Sequence, residues 1–279
     1  MLEYAICREL PRSFEACVTA VDNTASPIDI SLALKQHEAY VEVLKKHVNQ
    51  LIEVPADEGH PVAVAPDCCF VEDTCVVVKE TAVLNRLGHT SRQKEIQGIE
   101  QALQKVSSIK TIVHMSSQDE TATVDGGDCM LIGDHLYVGL SARTNRQGAD
   151  VLQKAFIGAC KVVILDTLQN SETLHLKCLV SPLNVDTLVV CSAQAGKALL
   201  KEMKEKSGIN YNAIEVPDQV PANILALGPD FVVIQKNFPE SEKILNEELS
   251  KRGYKFEALD MSELIKADGA LTCCSVLIP

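Results

Sequence analysis

The 279 residues carry 26 Lys and Arg against 38 Asp and Glu, a formal charge of −12 at neutral pH. Such a surface repels phosphate backbones and anionic lipid headgroups, whose attraction to proteins comes largely from Lys and Arg, so the balance excludes nucleic acid and membrane as partners. At 46% hydrophobic and 23% charged, the composition is that of a chain with one sizeable core and not of a disordered segment.

No run approaches the roughly 18 apolar residues a membrane helix requires. The opening Met1-Leu-Glu-Tyr-Ala-Ile-Cys-Arg-Glu-Leu10 mixes acids and bases into its apolar residues and lacks the apolar centre of a secretory signal, so the expected location is cytoplasmic. Eleven cysteines, an odd number with no CxxC pair, sit mostly in apolar runs such as Cys75-Val-Val-Val78 and Val189-Val-Cys191. They read as reduced thiols packed like small hydrophobes, which argues against a structural zinc site.

In chain order, Tyr4-Ala-Ile6 is a short strand, followed by a helix over Ile30 to His47 and a strand Gln50 to Val54. Strands over Phe70 to Leu84 lead to a helix Ser91 to Val106 and a strand Thr111 to His114. Asp128 to Ile132 and His135 to Val138 turn around Gly133-Asp134, then a helix covers Asn145 to Phe156 and a strand Lys161 to Leu165. Leu176 to Cys191 turns around Pro182 and Asn184, before a helix Ala193 to Lys206 and a strand Ala213 to Val216. Ile224 to Gln235 turns at Gly228-Pro229-Asp230, before a helix Pro239 to Lys251 and a strand Lys255 to Leu259. Ala270 to Ile278 supplies a last strand, expected beside Tyr4 to Ile6.

The pattern strand, strand, helix, strand recurs with a period of roughly fifty residues, the mark of a repeat architecture. One copy is split between the two ends of the sequence, so five units close into a ring without an exposed sheet edge, in a single domain over 1–279. Asp73, Asp125, His175 and Cys273 each fall at or just before the first strand of a different unit, so the pseudo-symmetry aims all four at the central axis. Taken singly, a cysteine or a histidine among leucines is core material, and Asp125-Gly-Gly-Asp128 is a turn. Cys273 and Cys274 take opposite faces of a strand, so only one can serve a site. Arg92 and Arg143 stand at expected helix starts, the former in a Thr90-Ser-Arg-Gln93 sequence like a capping box and the latter before Thr144-Asn145. A cation is disfavoured there unless an anion, such as a substrate carboxylate, binds beside it.

These residues stand in an ordered set: Lys35-Gln-His-Glu-Ala-Tyr40, Pro55-Ala-Asp-Glu58, Pro66-Asp67-Cys-Cys-Phe-Val-Glu72-Asp73, Ser91-Arg92, Thr123-Val-Asp125-Gly-Gly-Asp128, Val138-Gly-Leu-Ser-Ala-Arg143-Thr-Asn145, Leu174-His175-Leu-Lys177 and Asp268-Gly-Ala-Leu-Thr-Cys273-Cys-Ser-Val-Leu-Ile278. The set spans the chain and resembles the dimethylarginine dimethylaminohydrolases (dimethylargininases) of the pentein group of guanidine-modifying enzymes. The resemblance implies a five-bladed α/β-propeller of ββαβ units that hydrolyses asymmetric dimethylarginine or monomethylarginine to citrulline plus dimethylamine or methylamine. It also implies a place in arginine catabolism and nitric oxide regulation.

On matching positions the resemblance makes Cys273 the nucleophile, His175 the general acid and base, and Asp125 the group orienting His175. Glu72 and Asp73 then hold the guanidinium, Asp67 the α-amino group, and Arg92 and Arg143 the carboxylate. Ala267 stands where the family often has valine, and a contact there would use its carbonyl. The stretch Gly59 to Pro66 is longer than the family's usual connection, and Cys17 to Pro27 falls where a lid is expected. No cofactor is required; inhibitory zinc on Cys273 and His175 is implied. The expected partner is a small-molecule substrate, with the protein a monomer or weak homodimer. The rival readings are a deiminase or amidinotransferase acting on arginine, and a non-catalytic zinc- or redox-responsive binding module.

Overall fold

A computed structural model describes residues 2–21, 23–56, 65–166 and 173–279. The expected motif residues Asp57 and Glu58, and most of the lengthened Gly59 to Pro66 stretch, lie outside the described residues.

Among the described residues, fifteen strands form five separate three-stranded sheets. In chain order they are β1 Leu2–Arg8, β2 Val48–Val54, β3 Cys75–Val78, β4 Thr81–Leu84, β5 Thr111–His114, β6 Cys129–Ile132, β7 His135–Gly139, β8 Lys161–Leu165, β9 Val180–Pro182, β10 Thr187–Cys191, β11 Asn212–Val216, β12 Leu225–Ala226, β13 Phe231–Gln235, β14 Lys255–Leu259 and β15 Val276–Ile278. Within each sheet the middle strand pairs antiparallel on one side and parallel on the other, as in β3-β4-β5, where Val76 faces Val83 and Val83 faces Val113. The parallel step needs a crossover, and each unit has a helix there: Ile30–His47, Ile96–Leu103, Arg146–Ala155, Gln194–Ser207 and Pro239–Lys251. The split unit closes as expected, with Tyr4 opposite Ile278 and Ile6 opposite Val276.

Local chemistry explains the boundaries. Asp29 caps the first helix by accepting from the Leu32 amide, and Asn145 caps the third by accepting from the Gly148 amide at 2.8 Å. Gly208, at φ 79°, ends the fourth in the left-handed conformation that glycine adopts at no steric cost. Apolar clusters fill the space between successive units; the largest joins β7 and β8 to the two units that follow. The protein thus has one continuous shell of packed blades about an axis.

Two expectations need correction. The helix expected over Ser91 to Val106 is interrupted: Thr90–Arg92 is a separate 3-10 turn with no side-chain cap, and the α-helix begins at Ile96. The Arg92 side chain is drawn inward, and the Glu95 amide bonds to the Arg92 carbonyl at 2.9 Å in a tight turn that precedes the helix. The strands expected to begin at Phe70, Asp128, Leu176 and Ala270 begin later, at Cys75, Cys129, Val180 and Val276, because a 3-10 turn stands before each: Val71–Thr74, Gly126–Asp128, Leu176–Cys178 and Thr272–Cys274. A fifth such turn, Val220–Ala222, precedes β12. Short polar side chains close these turns against the backbone, as Thr74 Oγ1 does by donating to the Val71 carbonyl at 2.6 Å.

Candidate active site

The five turns carry the chemistry. Each places one or two polar side chains at the axial end of its blade, and residues fifty or more positions apart meet there. His175 Nε2 donates to Asp125 Oδ2 at 3.1 Å. Asp125 is fully buried and is fixed on its other oxygen by the Gly88 amide at 2.8 Å. Asp73 accepts from the Gly127 amide at 2.9 Å and from Arg92 Nη1 at 2.8 Å. Gly127 has to be glycine, because a Cβ there would lie 2.6 Å from His175 Nδ1. Gly88 meets the same constraint, since its Cβ would fall 2.3 Å from the Arg143 carbonyl.

Cys273 faces a small cavity of about 20 Å³ shared with Asp67, Asp73, Arg92, Arg143, His175 and Ala267. Its sulfur accepts from the Ala270 amide at 3.4 Å. Cys274 is fully buried in the apolar cluster beneath, so the two thiols divide between site and core as expected. The reason is the rotation along a 3-10 turn; strand alternation does not apply to these residues.

The electrostatics separate the groups. Burial alone would lower the His175 pKa, but Asp73, Asp128 and Asp125 raise it to about 9, which favours imidazolium at neutral pH. Burial would raise Asp73, yet His175 and Arg92 hold it down at about 2. Burial, with Glu72 and Asp73 adding like charge, pushes the Cys273 thiol well above its ordinary value. A protonated thiol beside a carboxylate and an imidazolium is a site that gains most from a bound cation. The cation favours the thiolate, and Asp73 offers it a counter-charge.

The expected carboxylate pair divides. Asp73 lines the cavity, whereas Glu72 accepts from Lys177 Nζ at 2.5 Å and from Thr272 Oγ1 at 2.8 Å, and lines the neighbouring axial channel with those two residues. The two expected carboxylate-binding arginines also differ. Arg92 Nε and Nη2 donate to Glu95, Nη1 to Asp73 and Nη2 to the Phe70 carbonyl. A guanidinium has five N–H donors, so one Nη1 hydrogen remains for a ligand. The Arg143 guanidinium is half-buried, lines the same cavity and forms no hydrogen bond or ion pair among the described residues.

Val18, in the segment expected as a lid, lines the cavity. The Val18 amide donates to both oxygens of Asp67 at 3.1 and 3.2 Å, and the Ala20 amide donates to Asp268 Oδ2 at 2.7 Å. Among the described residues, Asp73, Asp125 and His175 have donor atoms within 4.8 Å of one another, so these ligands would suit a divalent ion. Cys273 and His175, the pair expected to hold zinc, line the same cavity, but Cys273 is not part of that close group of donor atoms.

Sequence reasoning assigned no role to Glu95, Lys177, Thr272 or Asn223. Asn223 follows the fifth turn and bridges its neighbours, donating to Thr272 Oγ1 at 2.9 Å and to the Lys177 carbonyl at 3.0 Å. Its place in the repeat, about fifty residues beyond His175, was the available signal. For Glu95 the signal was its i+3 spacing from Arg92.

The chain matches the family profile described as N,N dimethylarginine dimethylhydrolase, eukaryotic, over residues 15–277. It is 33% identical over 272 residues to the N(G),N(G)-dimethylarginine dimethylaminohydrolase of Streptomyces coelicolor, covering 96% of this chain and 94% of that protein. A cysteine-to-serine mutant of the Pseudomonas aeruginosa enzyme, complexed with citrulline, superposes over 100% of both chains with a TM-score of 0.81 at 26% identity. A dimethylarginine dimethylaminohydrolase adduct with S-methyl-L-thiocitrulline does so over 100% of both chains with a TM-score of 0.80 at 28% identity. The five-bladed pentein architecture and the full-length match agree: the chain belongs to the dimethylarginine dimethylaminohydrolase family.

Proposed function

We propose that the protein hydrolyses asymmetric dimethyl-L-arginine and monomethyl-L-arginine to L-citrulline, releasing dimethylamine or methylamine, with Cys273 as the covalent nucleophile. The observation that carries this reading is that Cys273, His175, Asp73 and Arg143 line one cavity while His175 is bonded to Asp125.

Arg143, with the remaining Arg92 hydrogen, takes the substrate carboxylate; Asp67 and the Ala267 carbonyl face its α-amino end. Asp73 pairs with the guanidinium, which brings positive charge beside Cys273 and promotes loss of the thiol proton to solvent water, since His175 is already protonated. The thiolate attacks the guanidinium carbon, forming a C–S bond. His175 as imidazolium gives its proton to the methylated nitrogen, and the C–N bond breaks to leave a thiouronium on Cys273. Neutral His175 then deprotonates a water, whose oxygen bonds to the same carbon as the C–S bond breaks and citrulline departs. Asp125 keeps the imidazole oriented in both steps. Glu72 stabilises the far side of the site through Lys177 and Thr272, and it reaches substrate only if Lys177 releases it.

The chemistry is supplied by side chains without a cofactor. Zn²⁺ on His175 and Cys273 would block the nucleophile and so inhibit. The reduced state of eleven free cysteines supports a cytoplasmic location, and among the described residues no helix is long and apolar enough to cross a membrane.

The test is to incubate purified protein separately with asymmetric dimethylarginine, monomethylarginine and arginine and to assay citrulline. Turnover of the methylated substrates alone supports the proposal. Turnover of arginine alone would make the protein a deiminase, and citrulline from none of them after chelator and reductant would leave a binding module.

A further inference from the structure

Asp128 ends the second turn, is fully buried and has no part in the steps above. Its Oδ1 accepts from the Leu176 amide at 2.9 Å, and Leu176 follows His175 in the chain. Its Oδ2 accepts from Ser141 Oγ at 2.7 Å and from Thr144 Oγ1 at 2.6 Å. Those two residues bracket Arg143. Ser141 Oγ in turn accepts from the amides of Arg143 at 3.0 Å and Thr144 at 3.2 Å. Thr144 Oγ1 accepts from the Asp125 amide at 3.1 Å.

One carboxylate therefore joins three segments: the turn carrying His175, the backbone carrying Asp125 and the loop carrying Arg143. A carboxylate held in the interior by three neutral donors is costly to desolvate and loses most of that compensation if any one of them moves. It suits a part that holds its neighbours to one arrangement.

We propose that Asp128 is a positioning residue for the reaction, fixing the separation between the His175–Asp125 pair and the carboxylate-binding Arg143 across the length of the substrate. The inference rests on the hydrolase reading above. It explains why the aspartate lies three residues after Asp125 in a glycine-containing turn: this placement aims one carboxylate at the His175 ring and the next into the junction behind it.

The test compares purified full-length Asp128→Ala, Asp128→Asn, Thr144→Val and Thr144→Ser. Asparagine keeps a carbonyl for the Leu176 amide and offers an NH₂ that Thr144 Oγ1 can accept, whereas Ser141 Oγ already accepts from two amides. Asp128→Ala is expected to lower kcat about 100-fold, the cost of misplacing a catalytic group by about an ångström, and to raise KM, while Asp128→Asn recovers part of both. Thr144→Val, which removes the hydroxyl at nearly constant shape, lowers kcat, and Thr144→Ser restores it. The threonine pair decides the matter if Asp128→Ala does not fold.

Amide hydrogen exchange at Asp125 and Leu176, read by NMR, reports the junction without reference to turnover and should accelerate in Asp128→Ala. Parental kcat and KM in folded Asp128→Ala, or equal kcat in the two Thr144 variants, overturns the proposal. Unchanged exchange in a parent that turns over methylarginine overturns this inference alone, whereas a parent that makes no citrulline overturns the hydrolase reading and this one with it.

Discussion

Arg92 donates to Asp73 across 2.8 Å, so the arginine expected to bind the substrate's carboxylate is also paired with the acid expected to bind its guanidinium. Both side chains are more than nine-tenths buried, and Glu95, buried beside them, completes the cluster.

Because Arg92 spans two carboxylates with a planar fork, lysine cannot replace it. Arg92→Lys should lower kcat/KM by displacing Asp73. Arg92→Ala leaves two acids buried without their cation and should cost about 3 to 5 kcal/mol of stability. Citrulline kinetics and denaturant unfolding check these outcomes; a stable, fully active Arg92→Lys would remove Asp73 orientation from the role of Arg92.

Arg143 has no partner among the described residues and lines the cavity, so its loss should weaken binding with little change in the chemical step. Arg143→Ala is expected to raise KM strongly with kcat near the parent value. A KM that does not move would take Arg143 out of the site.

The two adjacent thiols should separate cleanly. Cys273→Ser is expected to abolish citrulline formation and the covalent adduct seen by mass spectrometry. Cys274→Ala, deep in the apolar cluster, should retain turnover with about 1 kcal/mol lost to the small void. Equal loss of activity in both variants would reverse the assignment of faces.

A methyl group at Gly127 would push directly on the imidazole. Gly127→Ala should reduce kcat by about 100-fold through a shift of His175, with unfolding midpoints used to separate this from collapse of the turn. Parental kcat would mean that the ring has room the geometry denies it.

The thiol makes a pH prediction. Burial, Glu72 and Asp73 disfavour thiolate in the free protein, so the Cys273 pKa is raised and the reactive form appears only as pH climbs past the ordinary thiol range. Alkylation of the Cys273 peptide by neutral iodoacetamide should be slow at neutral pH and still rising above the ordinary thiol pKa. A cationic chloroacetamidine, which brings its own positive charge to Asp73, should react faster at neutral pH. Rapid neutral-pH labelling by iodoacetamide would refute activation by a bound cation.

The ring of blades could be read from the sequence because its signals are local and repeated. Gly133-Asp134 marks a hairpin, Asn145 a cap, and Lys161 to Leu165 an uninterrupted apolar strand with the bounds the structure has. The convergence of Asp125 and His175 on the axis followed from the repeat period, and their pairing from the family resemblance. The 3-10 turns did not: Phe70-Val71 and Thr272-Cys273-Cys274 read as the approach to the apolar strands that follow, and only the tertiary junction bends them. Nor could the partition of Glu72 be seen, since Lys177 is 105 positions away and its claim on that carboxylate depends on how two blades meet.

Asp67 shares the single Val18 N–H between its two oxygens. If the same oxygens receive the substrate's ammonium, as proposed, the covering segment is an intramolecular rival of the incoming amino acid. A guest bearing that ammonium loosens the cover by occupying its anchor. A guanidine compound without an α-amino group makes no demand on Asp67 and leaves the Val18 contact as it stands.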